Sequence, residues 1–285
     1  MIHTSKQLKD LVRNMARNTG IEAHVLLRKY MMERLLERVS LSPYKSSFVL
    51  KGGLLVSAIV GVDIRATMDM DTTVKGLPLT PEDIERIVNE IASVPLEDGV
   101  SFQTKSVSPI MDEAEYGGLR VSMEARLDHA RIPMKVDVST GDVITPGEIQ
   151  YDYKLMFEDR CIPILAYPLE TVLSEKIESI ISRSTTNTRM RDFYDMHILL
   201  QTQRDDIDSQ ILKSAVWATA GHRKTGEVLD HAEAVISVIS TSTELKKLWE
   251  NYQKKYPYAQ GYSWDAVVAS TKSLCSMAGM LGRDS

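Results

Sequence analysis

The chain has 285 residues, of which 43% are hydrophobic and 26% charged, a balance typical of a globular protein rather than a disordered or fibrous one. Its longest apolar runs are far shorter than the ~18 residues that a membrane span requires, and its start lacks the charged-then-apolar layout of a signal peptide. The two cysteines, Cys161 and Cys275, are too far apart in sequence to form a metal-ligand or redox motif. We therefore expect a soluble cytoplasmic protein with reduced thiols and no membrane partner.

Charge is unevenly distributed along the chain. The formal net charge is −5, yet residues 1–50 sum to +5 and residues 51–150 to −8. An acidic central segment attracts divalent cations. The basic start could contact a polyanion, although a solvated helix face is the commoner explanation of such a segment.

Hydrophobic periodicity predicts the elements in chain order. They are helices over residues 4–17 and 21–38, a strand at 47–50, a helix at 54–61, a strand at 69–74, a helix from Thr80, strands at 119–127 and 132–138 with a turn at His129, and a strand at 161–165. Helices follow at 168–182, 189–201, 207–220, 229–239, 243–255 and 264–279. This pattern indicates an α+β protein in which a mixed sheet with flanking helices (residues 1–165) precedes a helical domain (residues 166–285).

The first candidate site is a glycine pair followed by two aspartates. Gly52 and Gly53 end a strand and begin a helix, so backbone N–H groups there can approach a phosphate without a side chain in the way. Asp69 and Asp71 lie at i and i+2 of the next strand, so both carboxylates face the same side and can reach one metal ion. The Asp-x-Asp pattern by itself is weak evidence for a metal site. The order of strand, glycine pair, helix and strand around it strengthens that interpretation.

Two further residues each have a structural and a functional interpretation. Asp137, between two valines of a strand, is either a solvent-facing residue or a third metal carboxylate. Lys176 borders the apolar stripe of its helix, where it either pairs with Glu175 or Glu178 or presents a cation to a triphosphate.

A cluster of charged residues begins the following helix. It comprises Arg189, Arg191, Asp192 and Asp195, of which Arg189 and Asp192, and Asp192 and Asp195, are three apart on one face. Ion pairs at a helix start explain this spacing as well as a binding site does. The histidines show no zinc-binding spacing, and neither a P-loop nor a nucleophile-elbow motif is present.

Taken in order, these blocks resemble the nucleotidyltransferase toxins of the AbiEii type. The residues that carry the resemblance are Lys51-Gly52-Gly53, Arg65-x-Thr67-x-Asp69-x-Asp71, Lys135-Val136-Asp137, Glu170-Thr171-Val172-Leu173-x-Glu175-Lys176 and Arg189-x-Arg191-Asp192-x-x-Asp195. AbiEii proteins are the toxins of abortive-infection toxin–antitoxin systems and relatives of the MenT toxins. The resemblance spans roughly residues 25–200 and implies a DNA polymerase β-like nucleotidyltransferase core followed by a helical C-terminal half.

The resemblance also implies roles for individual residues. Gly52 and Gly53 would hold the triphosphate, although Leu54 stands where the family usually has a hydroxyl residue. Asp69, Asp71 and Asp137 would bind Mg²⁺ or Mn²⁺. The catalytic residues would be Asp69, Asp71, Lys176 and Asp192. The remaining nucleotide-binding residues would be Arg65, Thr67, Arg189, Arg191 and Asp195.

The implied reaction is transfer of a nucleoside monophosphate from an NTP, which could be GTP or a pyrimidine nucleotide, to an RNA acceptor such as tRNA. Growth arrest would follow, opposed by a cognate antitoxin that need not form a stable complex. A protein hydroxyl is another acceptor. Two other functions stay open: a phosphotransferase of the same fold, and a non-catalytic module that binds an antitoxin or RNA.

Overall fold

The computed structural model describes residues 2–63, 65–110 and 117–282. The chain divides into two compact units, of which the first comprises residues 1–142 and 148–167 and the second residues 143–147 and 168–285. The short segment 143–147 belongs to the second unit because the Thr145 backbone N–H donates to Thr171 Oγ1 and the Thr171 hydroxyl donates to the Thr145 carbonyl, both at 3.0 Å.

In the part of the first unit that the structure describes, there are four helices and seven strands. Its helices are α1 (Ser5–Thr19), α2 (Ala23–Leu41), α3 (Gly52–Val60) and α4 (Pro81–Ala92). Its strands are β1 (Phe48–Lys51), β2 (Asp69–Val74), β3 (Val100–Pro109), β4 (Leu119–Leu127), β5 (Ala130–Thr140), β6 (Ile149–Lys154) and β7 (Cys161–Ala166).

These strands form one mixed sheet in the order β3-β4-β5-β2-β1-β7-β6. Strand β2 pairs parallel with β5 and antiparallel with β1, and β1 pairs parallel with β7. Alternation along β4 sends Leu119, Val121 and Met123 into the core, where they are at most 5% exposed. The predicted mixed sheet is therefore confirmed, as is the turn at His129 between β4 and β5.

Strands β3 and β6 were not predicted from the sequence. Both lie at the ends of the strand order, and β3 is polar and largely exposed along its length. An edge strand buries too little apolar surface to show clear alternation, so its polar sequence resembles that of a loop. Pro133 within β5 is tolerated because it lies beyond the part of β5 that pairs with β2, so its missing N–H removes no bond from that ladder.

Helix α2 is buried on most of its surface and carries charged residues into the core. Its Lys29 is 4% exposed and donates to Glu33 at 2.9 Å and to the Tyr153 hydroxyl at 2.6 Å. Its Arg38 donates to both carboxylate oxygens of Asp98 at 2.8 and 2.9 Å. Buried charges of this kind are tolerated only when each has its partners.

In the part of the second unit that the structure describes, the secondary structure is helical. Its helices are α5 (Leu169–Arg183), α6 (Met190–Gln203), α7 (Ser209–Arg223), α8 (Gly226–Leu229), α9 (Ala232–Thr241), α10 (Thr243–Lys255) and α11 (Trp264–Met277). The expected helix over 229–239 is replaced by the short α8 and by α9. Single 3₁₀ turns occur at Ser184–Thr186, Arg204–Asp206 and Pro257–Ala259. Within the described residues, no helix is long and apolar enough to cross a membrane.

Candidate active site

The glycine pair lies where strand β1 turns into helix α3. Gly52 has φ +63°, and a Cβ added to it would lie 2.2 Å from Oδ2 of Asp71. A Cβ on Gly53 would lie 2.7 Å from Thr67 Oγ1. Both positions therefore require glycine, because β2 and the segment before it pass directly against this turn. The Gly53 N–H donates to Asp71 Oδ2 at 3.2 Å, so a hydrogen bond links the glycine turn to strand β2.

Asp69 and Asp71 lie on one face of β2, as the sequence predicted, and both are half-buried. In the strand register, Asp71 lies between Lys51 of β1 and Asp137 of β5. Burial raises the pKa of Asp71, and the charges of Asp137 and Asp69 raise it further against the opposing effects of Gly53 and Lys51. A cation placed between these carboxylates would relieve that repulsion.

Asp137 lies next to Asp71 in the strand register but already forms an ion pair. The Arg120 guanidinium on β4 donates through Nε and Nη2 to the two Asp137 oxygens, at 2.8 and 2.7 Å. In the described ranges, no three histidine, cysteine or acidic residues group closely enough to hold a metal ion between them. A ligand role for Asp137 therefore stays a prediction, and the established contact is a bidentate ion pair.

Arg65 and Thr67 lie against the glycine turn. They are 1% and 4% exposed, and Arg65 donates to the Ala66 carbonyl. The Arg65 guanidinium is also within 3.0 Å of the position that a Gly53 Cβ would take. The structure thus brings together Gly53, Arg65 and Thr67, which the resemblance assigned to nucleotide binding.

No sequence pattern indicated the polar cluster around Asp142. Asp142 Oδ2 accepts from Lys51 Nζ at 2.6 Å, from Ser139 Oγ at 2.6 Å and from the Tyr167 hydroxyl at 2.9 Å. Burial by itself would raise the pKa of Asp142, but Lys51 and the two hydroxyls outweigh burial and lower it to about 2. Asp142 therefore fixes the Lys51 ammonium in the strand position next to Asp71.

In the second unit, the structure joins the two remaining candidate motifs. Lys176 Nζ donates to Asp192 Oδ1 at 2.9 Å and to Asp195 Oδ2 at 2.8 Å. The expected pairing of Lys176 with Glu175 or Glu178 is wrong, because both of those glutamates contact Arg223 instead. Although burial opposes its charge, the two aspartates raise the pKa of Lys176.

The arginines of this motif lie at the start of α6. Arg189 is the N-cap residue of the helix and, like Arg191, is exposed, whereas Asp195 is fully buried. The Arg189 backbone N–H donates to Asn187 Oδ1 at 2.9 Å. The buried Asn187 Nδ2 has no hydrogen-bond partner among the described residues, so this turn keeps one unused donor.

Comparison with known proteins identifies the class. A family model for the nucleotidyl transferase AbiEii toxin of type IV toxin–antitoxin systems matches residues 34–270. The chain therefore belongs to the AbiEii nucleotidyltransferase toxin family, as its sequence motifs predicted.

Two solved structures share the fold. One is a proposed nucleotidyltransferase from H. pylori, 12% identical, with a TM-score of 0.52 over 91% of this chain and 95% of that one. The other is JHP933 from Helicobacter pylori, 13% identical, with a TM-score of 0.53 over 91% of this chain and 92% of that one. At these identities the likeness shows the nucleotidyltransferase fold only. A search of curated proteins found no match.

Proposed function

We propose that this protein transfers a nucleoside monophosphate from an NTP to an RNA acceptor, with tRNA the leading candidate, in a reaction that depends on Mg²⁺ or Mn²⁺. The observation that carries the proposal is the contact between the glycine turn and Asp71, which brings the backbone of the turn and two same-face carboxylates to one place. In the cell, the transfer would arrest growth during phage infection until a cognate antitoxin opposes it.

The residues present fit a divalent cation bound with a triphosphate. Asp69 and Asp71 supply hard oxygen ligands, which Mg²⁺ prefers. Burial, together with the charges of Asp137 and Asp69, raises the pKa of Asp71, and a bound cation would oppose that effect. Gly52 and Gly53 have no room for side chains of their own, because Asp71, Thr67 and Arg65 lie against them. A cation bound there would neutralise charge on the phosphates and favour ionisation of the acceptor hydroxyl.

The protein residues have separate tasks in this reaction. The acceptor hydroxyl oxygen forms a bond to the α-phosphorus while the bond from that phosphorus to the bridging oxygen breaks, so pyrophosphate leaves and the hydroxyl proton goes to solvent. Asp69 and Asp71 would orient the reacting groups, and the Gly53 backbone would approach the phosphates. Carried over from the family motifs, Lys176 and Arg189 are the proposed phosphate-binding cations, and Arg65, Thr67 and Arg191 the proposed nucleotide contacts.

The decisive experiment uses each NTP labelled at the α-phosphate, with Mg²⁺ and total RNA. We expect one NTP to label RNA and to release pyrophosphate in equal amount. The matched control is Asp69→Asn, which keeps the shape of the side chain and removes its charge, and which should lower labelling by at least 10³-fold in a folded protein.

Other outcomes of the same assay separate the alternatives. Release of an α-labelled nucleoside diphosphate with no label on RNA or protein, together with transfer of label when the γ-phosphate is labelled instead, would show a phosphotransferase. Labelling of protein rather than RNA would change the acceptor class. Wild-type labelling by a folded Asp69→Asn protein would show that the reaction occurs elsewhere.

A further inference from the structure

Strands β4 and β5 expose a polar face whose cations have no part in the proposed chemistry. Their other face is apolar and contributes Val121, Met134 and Val136 to the core. The polar face, together with the neighbouring side chains of β3, carries cations at five positions: Lys105, Arg120, Arg126, Arg131 and Lys135. We call this surface the basic sheet face.

Acidic residues do not balance this surface. Glu124 is 2.6 Å from Arg126 and 3.6 Å from Lys105, so one carboxylate serves both cations. Arg126 also lies directly opposite Arg131 in the strand register. Like charges opposite each other cost stability in a sheet unless an anion compensates them. The face therefore carries excess positive charge on a chain whose net charge is −5.

The basic sheet face is open to solvent. Lys105 and Arg126 side chains are 43% and 40% exposed, and Arg131 and Lys135 are exposed too. Helices α4 and α2 contact these strands, but they do so through the apolar side, since the polar side chains stay accessible. No ion pair among the described residues engages Arg131 or Lys135.

The strand register connects this surface to the candidate active site. Lys135 lies next to Asp69 on the neighbouring strand, and Arg120 lies next to Asp137, which in turn neighbours Asp71. Side chains of cross-strand neighbours share one face of a sheet. From Lys135 to Arg131 the face extends four residues along β5, or ~13 Å at ~3.3 Å per residue.

We propose that the basic sheet face binds the phosphate backbone of the RNA acceptor and directs its reactive end toward Asp69 and Asp71. This inference rests on the proposed function and adds the surface that the acceptor uses. Arginine, lysine and serine side chains are common donors to phosphate oxygens, and Ser122 lies between these cations on β4. Because the face presents charge and hydroxyl groups and little apolar area, it fits a polyanion better than a protein surface.

Two other basic surfaces serve as rivals. Helix α1 has four exposed cations, Lys6, Lys9, Arg13 and Arg17. Helix α10 has four exposed lysines, Lys246, Lys247, Lys254 and Lys255, near half-buried tyrosines. Among the described residues, no strand register leads from the cations of either helix to Asp69 or Asp71, as it does from the basic sheet face.

The test compares two quadruple variants that remove equal charge. The sheet variant is Lys105→Gln, Arg126→Gln, Arg131→Gln and Lys135→Gln, and the control variant is Lys246→Gln, Lys247→Gln, Lys254→Gln and Lys255→Gln. Arg120 stays unchanged because it holds Asp137. Binding of fluorescent tRNA is measured by anisotropy between 50 and 200 mM salt, and α-labelled NTP gives the labelling rate.

We expect the sheet variant to bind tRNA at least tenfold more weakly at the lowest salt. The slope of log affinity against log salt concentration should decrease in magnitude by up to ~3, at ~0.7 per lost phosphate contact. The control variant should match the wild type in both respects. A charge-preserving variant, Arg126→Lys with Arg131→Lys, should keep most of the binding, which distinguishes lost charge from lost folding.

Each contrary outcome has a distinct meaning. This inference would be overturned if the wild type labels RNA and the folded sheet variant binds tRNA with unchanged affinity and salt dependence. The proposed function would then remain intact. Loss of binding in the control variant instead would move the acceptor surface to α10. A wild-type protein that binds and labels no RNA, but labels another acceptor, would overturn both proposals.

Discussion

Lys176 neutralises two carboxylates, one of which, on Asp195, is inaccessible to solvent. The structural interpretation of this lysine was correct in kind but wrong in its partners, and the pairing does not conflict with a role in binding phosphate. Substitution alone cannot separate the two roles, because removal of the lysine leaves buried charge behind.

We therefore predict the effects of a pair of variants. Lys176→Met should lower the free energy of unfolding by about 3 kcal/mol, since the buried carboxylate of Asp195 loses its lysine partner, and should abolish nucleotidyl transfer. Adding Asp195→Asn should recover a large part of the stability but none of the activity. Urea denaturation and the α-label assay measure the two quantities.

Two results would contradict this prediction. Recovery of transfer along with stability in the double variant would show that Lys176 serves folding alone. Full activity of Lys176→Arg would show that any cation suffices, whereas we expect partial activity because the guanidinium lacks the compact geometry of an ammonium.

Asp142 provides a prediction about pH. Its pKa of about 2 in the folded protein lies below the ~3.9 of an unfolded chain. A depressed pKa contributes stability that is fully present above the unfolded pKa and is lost as the pH falls toward the folded one. Asp142→Asn should therefore lower the free energy of unfolding by about 2 kcal/mol at pH 7.

The difference between the wild type and Asp142→Asn should start to shrink below about pH 5 and be nearly gone near pH 2. Urea titrations of both proteins at several pH values measure this difference directly. Tyr167→Phe, which removes one donor and no charge, is the control and should show a smaller effect of pH. A constant difference across this range would contradict the assigned role of the Lys51–Asp142 ion pair.

At the scale of elements, the β1–α3 turn depends on the absence of side chains. Gly52 and Gly76 both have positive φ, at +63° and +68°, but a Cβ on Gly76 would meet no atom within 4 Å. Alanine at either position adds strain of about 1 kcal/mol, and only at Gly52 does it also collide with Asp71.

Gly52→Ala should thus destabilise the protein by several kcal/mol and eliminate transfer, while Gly76→Ala should cost about 1 kcal/mol and keep activity. Thermal unfolding and the labelling assay of the two variants check this contrast. Equal effects would indicate that backbone strain, and not the contact with Asp71, makes glycine necessary at Gly52.

Elements differ in how far their sequence predicts them. Helix α4 was predicted to its first residue because Thr80, Pro81 and Asp83 form a capped start, and the Thr80 hydroxyl indeed accepts from the Asp83 N–H at 3.1 Å. Strand β3 was missed because most of its residues are polar, so its own sequence does not show the pairing with β4 and the packing against α4 that stabilise it. Sequence patterns therefore predict elements whose stabilising contacts, such as a helix cap, lie within the element itself.

At the scale of the whole molecule, ligand binding should appear as added stability. A ligand at 100 times its dissociation constant stabilises the folded state by ~2.7 kcal/mol, or roughly 5 °C in melting temperature for a protein of this size. We expect Mg²⁺ with the preferred NTP to produce such a shift, and EDTA to remove it.

The shift should be absent in Asp69→Asn and Asp71→Asn, and present in the α10 lysine variant, whose changes are remote in sequence from the glycine turn. Differential scanning fluorimetry measures all of them in one experiment. A full shift in both aspartate variants would show that the metal–nucleotide complex binds at a different place.

The sequence by itself determined the parts of this protein that depend on neighbours along the chain. The glycine pair, the same-face acids of β2 and the helix starts follow from local conformation and from the two-residue period of a strand. The tertiary structure alone decided which distant side chains complete each cluster.

Asp137 with Arg120, Lys176 with Asp195, and Lys51 with Asp142 are separated by 17, 19 and 91 residues. Charged side chains can pair with any opposite charge that folding brings near them, and spacing in sequence holds no information about that choice. The amino-acid sequence therefore determines the chemical types available at the candidate site, and the packing of strands and helices selects the partners that hold each of them in place.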